Sequence, residues 1–253
     1  MKKTALITGA TSGFGKACAR ALAQEHHPVI LTGRRADRLE ELKHELCEYT
    51  SVTTLVQDIR DPDSVAETLS NIPEAFRNVD VLINNAGLAL GLEPSQKTNL
   101  EDWDTMIETN CKGLVHMTRA ILPQMVERRT GHIINIGSIA GNSPYPGGNV
   151  YGATKAFVKQ FSLNLRCDLL GTNVKVSNLE PGMAETEFSL VRYKGDEERA
   201  KKIYSGTQAL RAEDIADIVV WLVSTPPHVN VNTLEVMPTQ QAWGPFTIHR
   251  DTE

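Results

Sequence analysis

Tyr151 and Lys155 stand four residues apart in the run Tyr151-Gly152-Ala153-Thr154-Lys155, and Ser138 lies upstream, just past the apolar stretch Ile133-Ile134-Asn135-Ile136. These residue types outline an acid–base site that moves a proton alongside a hydride transfer. A phenol takes or gives the proton, a nearby ammonium favours its ionised form, and a serine hydroxyl polarises the reacting oxygen. If the segment after Val150 is helical, positions 151 and 155 share one face, which sets the ammonium near the phenol. A Tyr-x-x-x-Lys spacing also occurs on solvated helix faces, so the chemistry needs a hydride carrier and elements that hold it.

The N-terminus supplies such an element. Thr4-Ala5-Leu6-Ile7-Thr8 reads as a short buried strand, followed at once by Gly9-Ala10-Thr11-Ser12-Gly13-Phe14-Gly15 and a helical run through Ala23. Gly9 permits a tight turn, Gly13 lets backbone amides approach a pyrophosphate, and Gly15 lets helix and strand pack closely. The spacing is T-G-x-x-x-G-x-G rather than the usual G-x-G-x-x-G, and its place between strand and helix argues for a dinucleotide site over a plain flexible turn. Bringing a tyrosine from roughly 10 to roughly 7 would then require about 4 kcal/mol from Lys155 and a cationic nicotinamide.

The motifs from Thr8 to Gly15, Asn84-Asn85-Ala86-Gly87, Asn110, Ser138, Tyr151 with Lys155, and Pro181-Gly182 occur in this order along the chain. The sequence resembles the short-chain dehydrogenase/reductase family over almost its whole length. The strings Asn85 to Gly91, Gly148 to Phe157 and Glu187 to Arg192 are similar to a narrower branch, the NADP-dependent 3-hydroxy acid dehydrogenases, which oxidise serine and allo-threonine. The resemblance implies that Ser138 and Tyr151 bind the hydroxyl of a 3-hydroxy acid and that Tyr151 carries its proton. Lys155 would lower the Tyr151 pKa and hold the ribose hydroxyls. Asn110 would perturb its helix and hold a water that passes protons to Lys155. Asn85, Ala86 and Gly87 would lie against the cofactor, Asp58 beside the adenine, and Pro181-Gly182 around the nicotinamide with Thr186 bonding its carboxamide. From the residues alone, Asp58 caps the following segment equally well, and the Asn pair or the Pro-Gly pair marks a turn.

The elements that position these residues alternate between strand and helix, the pattern of a doubly wound α/β Rossmann fold with a parallel sheet. Strands are expected at 4–8, 28–32, 52–57, 79–83, 131–137, 173–179 and 232–236, and helices at 14–25, 36–48, 62–71, 100–128, 149–170 and 212–224. The 253 residues suit one domain spanning 1–253, with no linker-like composition to divide them. Between Pro181 and Ala212 the pattern weakens into charged and small residues. Residues 183–211 are read as a mobile substrate lid, though a solvated loop and helix would look much the same.

Cofactor choice is argued from the end of the second strand, Leu31-Thr32-Gly33-Arg34-Arg35. An acidic residue there would bind the ribose of NAD; two arginines suit the 2′-phosphate of NADP. Alternatively Arg35 pairs with Asp37 or Glu41 at a helix start. In the lid, Arg192 is the candidate clamp for an anionic substrate, with pairing to Glu187 or Asp196 as the plainer reading. A carboxylate is the first expectation and a sulfonate, as in sulfoacetaldehyde reduction, the second. Asn142-Ser143 replaces a bulkier aromatic expected before Pro144-Tyr145 and implies a wider or differently polar pocket.

The net charge of −5 and the lack of a basic run argue against nucleic-acid binding. No signal peptide or membrane-spanning stretch is visible. Cys18, Cys47, Cys111 and Cys167 are scattered without metal-ligand spacing, so reduced core thiols in a cytoplasmic protein without a structural metal are expected. His26, His27, His44, His116, His132, His228 and His249 have no role in this scheme. Phe157, Phe161, Leu165 and Leu169 form an apolar stripe that lines a subunit interface, consistent with the tetramers common in the resembling family, or faces the sheet. A redox sensor that binds NADP without turnover is the non-enzymatic alternative; it would not need Asn110, Ser138, Tyr151 and Lys155 together.

Overall fold

Short runs rich in Val, Ile and Leu form central strands buried on both sides, while the two edge strands, Val52–Val56 and Thr233–Val236, are half-buried and include Thr and Glu. In the computed structural model, which describes residues 2–244 and 248, they are β1 (Ala5–Thr8), β2 (Val29–Gly33), β3 (Val52–Val56), β4 (Val81–Asn84), β5 (Gly131–Ile136), β6 (Val174–Pro181) and β7 (Thr233–Val236). They build one sheet in the order β3-β2-β1-β4-β5-β6-β7, and every pairing is parallel. Because β1 pairs with both β2 and β4, the winding reverses at β1, and a crevice opens outside the carboxyl ends of the central strands.

The connecting helices are α1 (Gly13–Gln24), α2 (Ala36–Leu46), α3 (Pro62–Ser70), α4 (Leu100–Ile107), α5 (Leu114–Glu127), α6 (Asn149–Asp168), α7 (Glu187–Arg192), α8 (Glu197–Lys202) and α9 (Ala212–Ser224). Alternation along β1 decides which helices cover which face. Ala5 and Ile7 join a core with Leu22, Leu39, Leu42, Ile215 and Val219, so α1, α2 and α9 lie on that side. Leu6 points the other way, among Val65, Met117, Ile121 and Leu165 of α3, α5 and α6. Each large side chain buried in this manner stabilises the fold by about 1.5–3 kcal/mol. The result is a Rossmann-like single domain.

The structure corrects several sequence expectations. The single helix expected over 100–128 is broken: α4 and α5 are separated by a π-helical turn, Glu108–Gly113, that contains Asn110. The segment 183–211 carries two six-residue helices, α7 and α8, too short to show a period in the sequence. The apolar stripe of α6 divides between two environments. Leu165 and Leu169 are buried against the sheet, whereas Phe157 is exposed and stacks on Phe161 at 5.9 Å between ring centroids. All four cysteines are free, but only Cys18 is buried; Cys47 and Cys167 are exposed and Cys111 is half-buried. His132 is a core residue whose Nε2 bonds the Ser177 hydroxyl, and burial pushes its pKa down to about 3. His249 lies outside the described residues.

Candidate active site

The carboxyl ends of β1, β2, β4, β5 and β6 open into one cavity of about 500 Å³. Its wall includes Gly9, Thr11, Ser12, Gly13 and Phe14 after β1, Arg34 and Arg35 after β2, Asp58 after β3, and Asn85, Ala86 and Gly87 after β4. Ser138, Tyr151, Lys155, Pro181, Gly182, Thr186 and Arg192 complete it. Gly15 and Asn110 lie behind this wall and support it.

The glycine turn fits a dinucleotide. Gly9 has φ +66°, and a Cβ there would stand 3.0 Å from the Ala86 backbone, so the turn and the β4 loop pack without room for a side chain. A Cβ on Gly15 would collide with the Asn85 side chain and the Gly9 carbonyl. Asn85 donates from Nδ2 to the carbonyls of Thr8 (2.9 Å) and Gly9 (3.1 Å), while Thr8 Oγ1 accepts from the amides of Asn85 and Ala86, each at 3.0 Å. Ser12 precedes α1 but makes no side-chain cap, and the first turn carries no acidic residue. The uncapped amides and positive dipole end of α1 therefore meet the cavity beside Ser12, Gly13 and Phe14, as a pyrophosphate requires.

Arg35 does not pair with Asp37 or Glu41. It donates to Thr11 Oγ1 (Nε 3.1 Å, Nη2 2.6 Å) and to Ser12 Oγ (3.0 Å), so a cation braces the glycine turn itself. Arg34 lines the same end of the cavity. Sequence reasoning missed Arg38, whose Nη1 lies 3.0 Å from Glu187 Oε2 of α7; Arg35 Nη1 lies 3.9 Å from the same oxygen. Asp58 does not cap α3, a task that falls to Asp61, whose carboxylate accepts from the Asp63 amide. Asp58 instead binds Arg60 in a two-pronged ion pair (3.0 and 2.6 Å), and that guanidinium holds its carboxyl below the usual range. Thr186 caps α7 by accepting from the Phe188 amide at 3.2 Å and faces Gly13.

The acid–base group is set by α6 and β5. A buried chain of amides ties these elements to β4: Asn84 Nδ2 donates to Asn135 Oδ1 (2.8 Å), and Asn135 Nδ2 donates to Ser162 Oγ of α6 (2.8 Å). Lys155 Nζ donates to the Ile136 carbonyl at 2.8 Å and sits 5.9 Å from the Tyr151 ring centroid. Asn110 Oδ1 accepts from the Leu88 amide (2.9 Å), and its Nδ2 donates to the Leu88 carbonyl (2.8 Å) and Thr154 Oγ1 (3.0 Å). The π turn thus points an amide at the β4 loop and at the residue before Lys155. Gly87 completes the contact, since a Cβ there would lie 3.2 Å from Asn110 Oδ1 and 3.6 Å from Lys155 Nζ.

Burial dominates the ionisation of these groups. It pushes the Tyr151 phenol up to about 12, opposed first by the charge of Arg192 and then by a hydrogen bond with Ser138. Burial also pushes the Lys155 ammonium down to about 8. Two cations therefore stand beside Tyr151, Lys155 one turn along α6 and Arg192 of α7.

Arg192 pairs with neither Glu187 nor Asp196. Its guanidinium carbon lies 4.9 Å from the Tyr151 ring centroid and 5.0 Å from that of Phe188. Nη2 donates to Tyr145 Oη at 3.1 Å, and the buried Nε has no partner among the described residues. Phe188 and Tyr145 also line the cavity; neither was singled out in the sequence, where Phe188 stands within the Glu187 to Arg192 string and Tyr145 beside Pro144. Asn142 and Ser143 do not shape the cavity. Asn142 turns away, donating to the carboxylates of Glu180 (2.7 Å) and Glu235 (2.8 Å) and accepting from Lys159 Nζ (2.7 Å).

Residues 3–196 match the family model described as short chain dehydrogenase. The chain belongs to the short-chain dehydrogenase family. A protein of Salmonella typhi named as an NADP-dependent 3-hydroxy acid dehydrogenase is 57% identical over 246 residues, covering 97% of this chain and 98% of that protein. Sulfoacetaldehyde reductase 2 of Chromohalobacter salexigens is 54% identical over 252 residues, covering 99% of this chain and all (100%) of that protein. Among solved structures, the closed form of a serine dehydrogenase complexed with NADP+ superposes on this short-chain dehydrogenase with a TM-score of 0.92 and 55% identity, covering 98% of this chain and 100% of that chain.

Proposed function

We propose that this short-chain dehydrogenase is an NADP-dependent oxidoreductase that interconverts a small 3-hydroxy acid, such as serine or allo-threonine, with its semialdehyde. The observation that carries the substrate class is Arg192, a guanidinium with an unpartnered buried N–H held over the ring of Tyr151. A carboxylate one or two carbons from the reacting carbinol would reach that cation while its hydroxyl reaches Ser138 and Tyr151. The relatives bearing 3-hydroxy acid and serine dehydrogenase names support the same reading.

In this reading NADP supplies the hydride acceptor or donor. Gly9, Thr11, Ser12, Gly13, Phe14 and Gly15 form its pyrophosphate turn, and Arg34 and Arg35 read its 2′-phosphate. Asp58, with Arg60, borders the adenine end; Asn85, Ala86 and Gly87 form the floor; Pro181, Gly182 and Thr186 border the nicotinamide end. Tyr151 accepts the hydroxyl proton in oxidation and donates it in reduction, Ser138 polarises the oxygen, and Lys155 orients the ribose. Asn110 acts behind Lys155, holding the loop and helix between which a proton path to Lys155 would run. The segment 183–211 is the substrate lid of a single domain. A redox sensor without turnover would have no use for a cation aimed at the proton carrier.

A second substrate reading, reduction of sulfoacetaldehyde, is favoured by the similarity to the Chromohalobacter salexigens reductase. A sulfonate would meet the same guanidinium. A panel of hydroxy acids, semialdehydes and sulfoacetaldehyde, followed in both directions by nicotinamide absorbance, separates the two. Turnover confined to uncharged alcohols would reject both.

We further infer a cytoplasmic homotetramer. No helix among the described residues is long and apolar enough to cross a membrane, the four cysteines are unpaired, and the exposed Phe157 stacked on Phe161 offers α6 as an interface. A monomer in sedimentation at micromolar concentration would reject the assembly.

A further inference from the structure

We propose that Arg192 is the electrostatic partner of the Tyr151 phenol, so that an anionic substrate group that pairs with Arg192 also makes Tyr151 hold its proton more tightly. This inference rests on the proposed function for the roles of Tyr151 and the substrate anion, and on the geometry of α7 for its physical content.

The geometry is specific. Arg192 stacks on Tyr151 at 4.9 Å and on Phe188 at 5.0 Å, and these two rings are themselves 5.6 Å apart. The guanidinium is therefore sandwiched against aromatic faces instead of spread into solvent. Tyr151 is buried, so little water intervenes to screen a cation this close. The groups facing the phenol are Ser138 from the loop after β5, Tyr145 from the loop before α6, Lys155 one turn along α6, and Arg192 from α7. Lys155 is engaged by the Ile136 carbonyl and faces Cys111 of the π turn. Lys194, two residues beyond Arg192, is committed to Asp102 at 2.8 Å. Arg192, which has no carboxylate partner among the ion pairs of the described residues, therefore acts on the phenolate beside Lys155, and it leads the influences that oppose burial.

The coupling has a direction. A free guanidinium stabilises phenolate, the form that accepts a proton. When a carboxylate or sulfonate neutralises Arg192, that stabilisation falls, and the protonated phenol gains. An anionic ligand consequently raises the fraction of Tyr151 that is protonated at a given pH, the form that donates a proton to a carbonyl oxygen. Uncharged substrates leave Arg192 free and lack this bias. Arg192 acts here through Tyr151, as a positioning residue for its charge.

The α7 segment survives removal of the side chain, because its link to the loop after β4 runs through backbone: the Gly91 amide donates to the Arg192 carbonyl at 2.9 Å. The test is a phenolate absorbance titration of the enzyme saturated with NADP+, with Tyr151→Phe subtracted to isolate Tyr151. Arg192→Met should move the Tyr151 midpoint upward by about one pH unit or more, the scale of an opposite charge within about 4–6 Å, and Arg192→Lys should recover most of the shift. Added acetate should raise the midpoint in the wild type and leave it unchanged in Arg192→Met. Coincident midpoints in wild type and Arg192→Met overturn the partnership, and a wild-type midpoint indifferent to saturating acetate overturns the coupling to substrate charge. No turnover is needed for either reading, so a substrate panel that rejected 3-hydroxy acids would leave this result standing on its own.

Discussion

The groups proposed to handle the proton and the group proposed to read the substrate occupy two differently built parts of the cavity. Tyr151 and Lys155 sit on a twenty-residue helix and Ser138 in the loop just past a central strand, locked from behind by Asn110, Thr154 and the Asn84, Asn135 and Ser162 chain. Arg192 and Glu187 sit at the two ends of a six-residue helix attached by a few hydrogen bonds and ion pairs. Geometry that must not change is placed where packing over-determines it. Geometry that must admit and release a ligand is placed where little has to be broken.

The sharpest break of this division is Tyr151→Phe, which keeps the ring that supports Arg192 and removes the proton carrier. Turnover should fall at least about a hundredfold while NADP binding, measured by fluorescence or calorimetry, is retained. Near-normal turnover would end the proposed acid–base role. Replacing Arg34 and Arg35 together by alanine comes next. NADP should weaken by about 2–4 kcal/mol, with losses shared between neighbours, and NAD should change little. Because Arg35 also braces Thr11 and Ser12, equal losses for both cofactors would mean that it serves the turn more than the phosphate.

On the α7 side, Arg192→Ala should raise KM for anionic substrates at least about tenfold, or about 1.4 kcal/mol, and spare uncharged alcohols. Parallel losses for both substrate types would remove the anion clamp. The smallest effect is expected from Glu187→Gln. Its pairs with Arg38 and Arg35 are largely exposed, so the loss should be about 1 kcal/mol or less. Faster amide exchange across α7 with unchanged exchange in α6 is the expected signature, and equal acceleration in both helices would contradict the two-part construction.

The sequence exposed the α6 part far better than the α7 part, for physical reasons. All seven strands overlap the expected segments, although β3, β6 and β7 mix Thr, Lys, Asn or Glu into their apolar residues, and helical periodicity sets Tyr151 and Lys155 on one face. The glycine turn is legible because backbone that approaches backbone leaves few alternatives to glycine. By contrast, Arg38 meets Glu187 across 149 residues and Arg192 meets Tyr145 across 47, distances that no local pattern encodes. The resemblance implies that Asn110 perturbs the helix expected over 100–128, but the π form of the break and its partner Leu88, 22 residues away, are not encoded locally. The turn of Asn142 toward Glu180 and Glu235 was equally invisible, since only the folded sheet brings those carboxylates to it.

The π turn at Glu108–Gly113 has a consequence for how this chain tolerates changes in length. A π turn closes its hydrogen bonds one residue later than an α-helix, so one surplus residue is stored between α4 and α5. Each residue advances an α-helix by about 100°. Because the wide turn absorbs that rotation, deleting a single position within 108–113 would let the helix close up into one continuous rod with the apolar face of α5, which meets the sheet through Met117, Ile121 and Met125, still in phase with α4. What the deletion would remove is the bulge that carries the Asn110 amide out to Leu88, so the surplus residue serves the cavity while the packing on either side is indifferent to it.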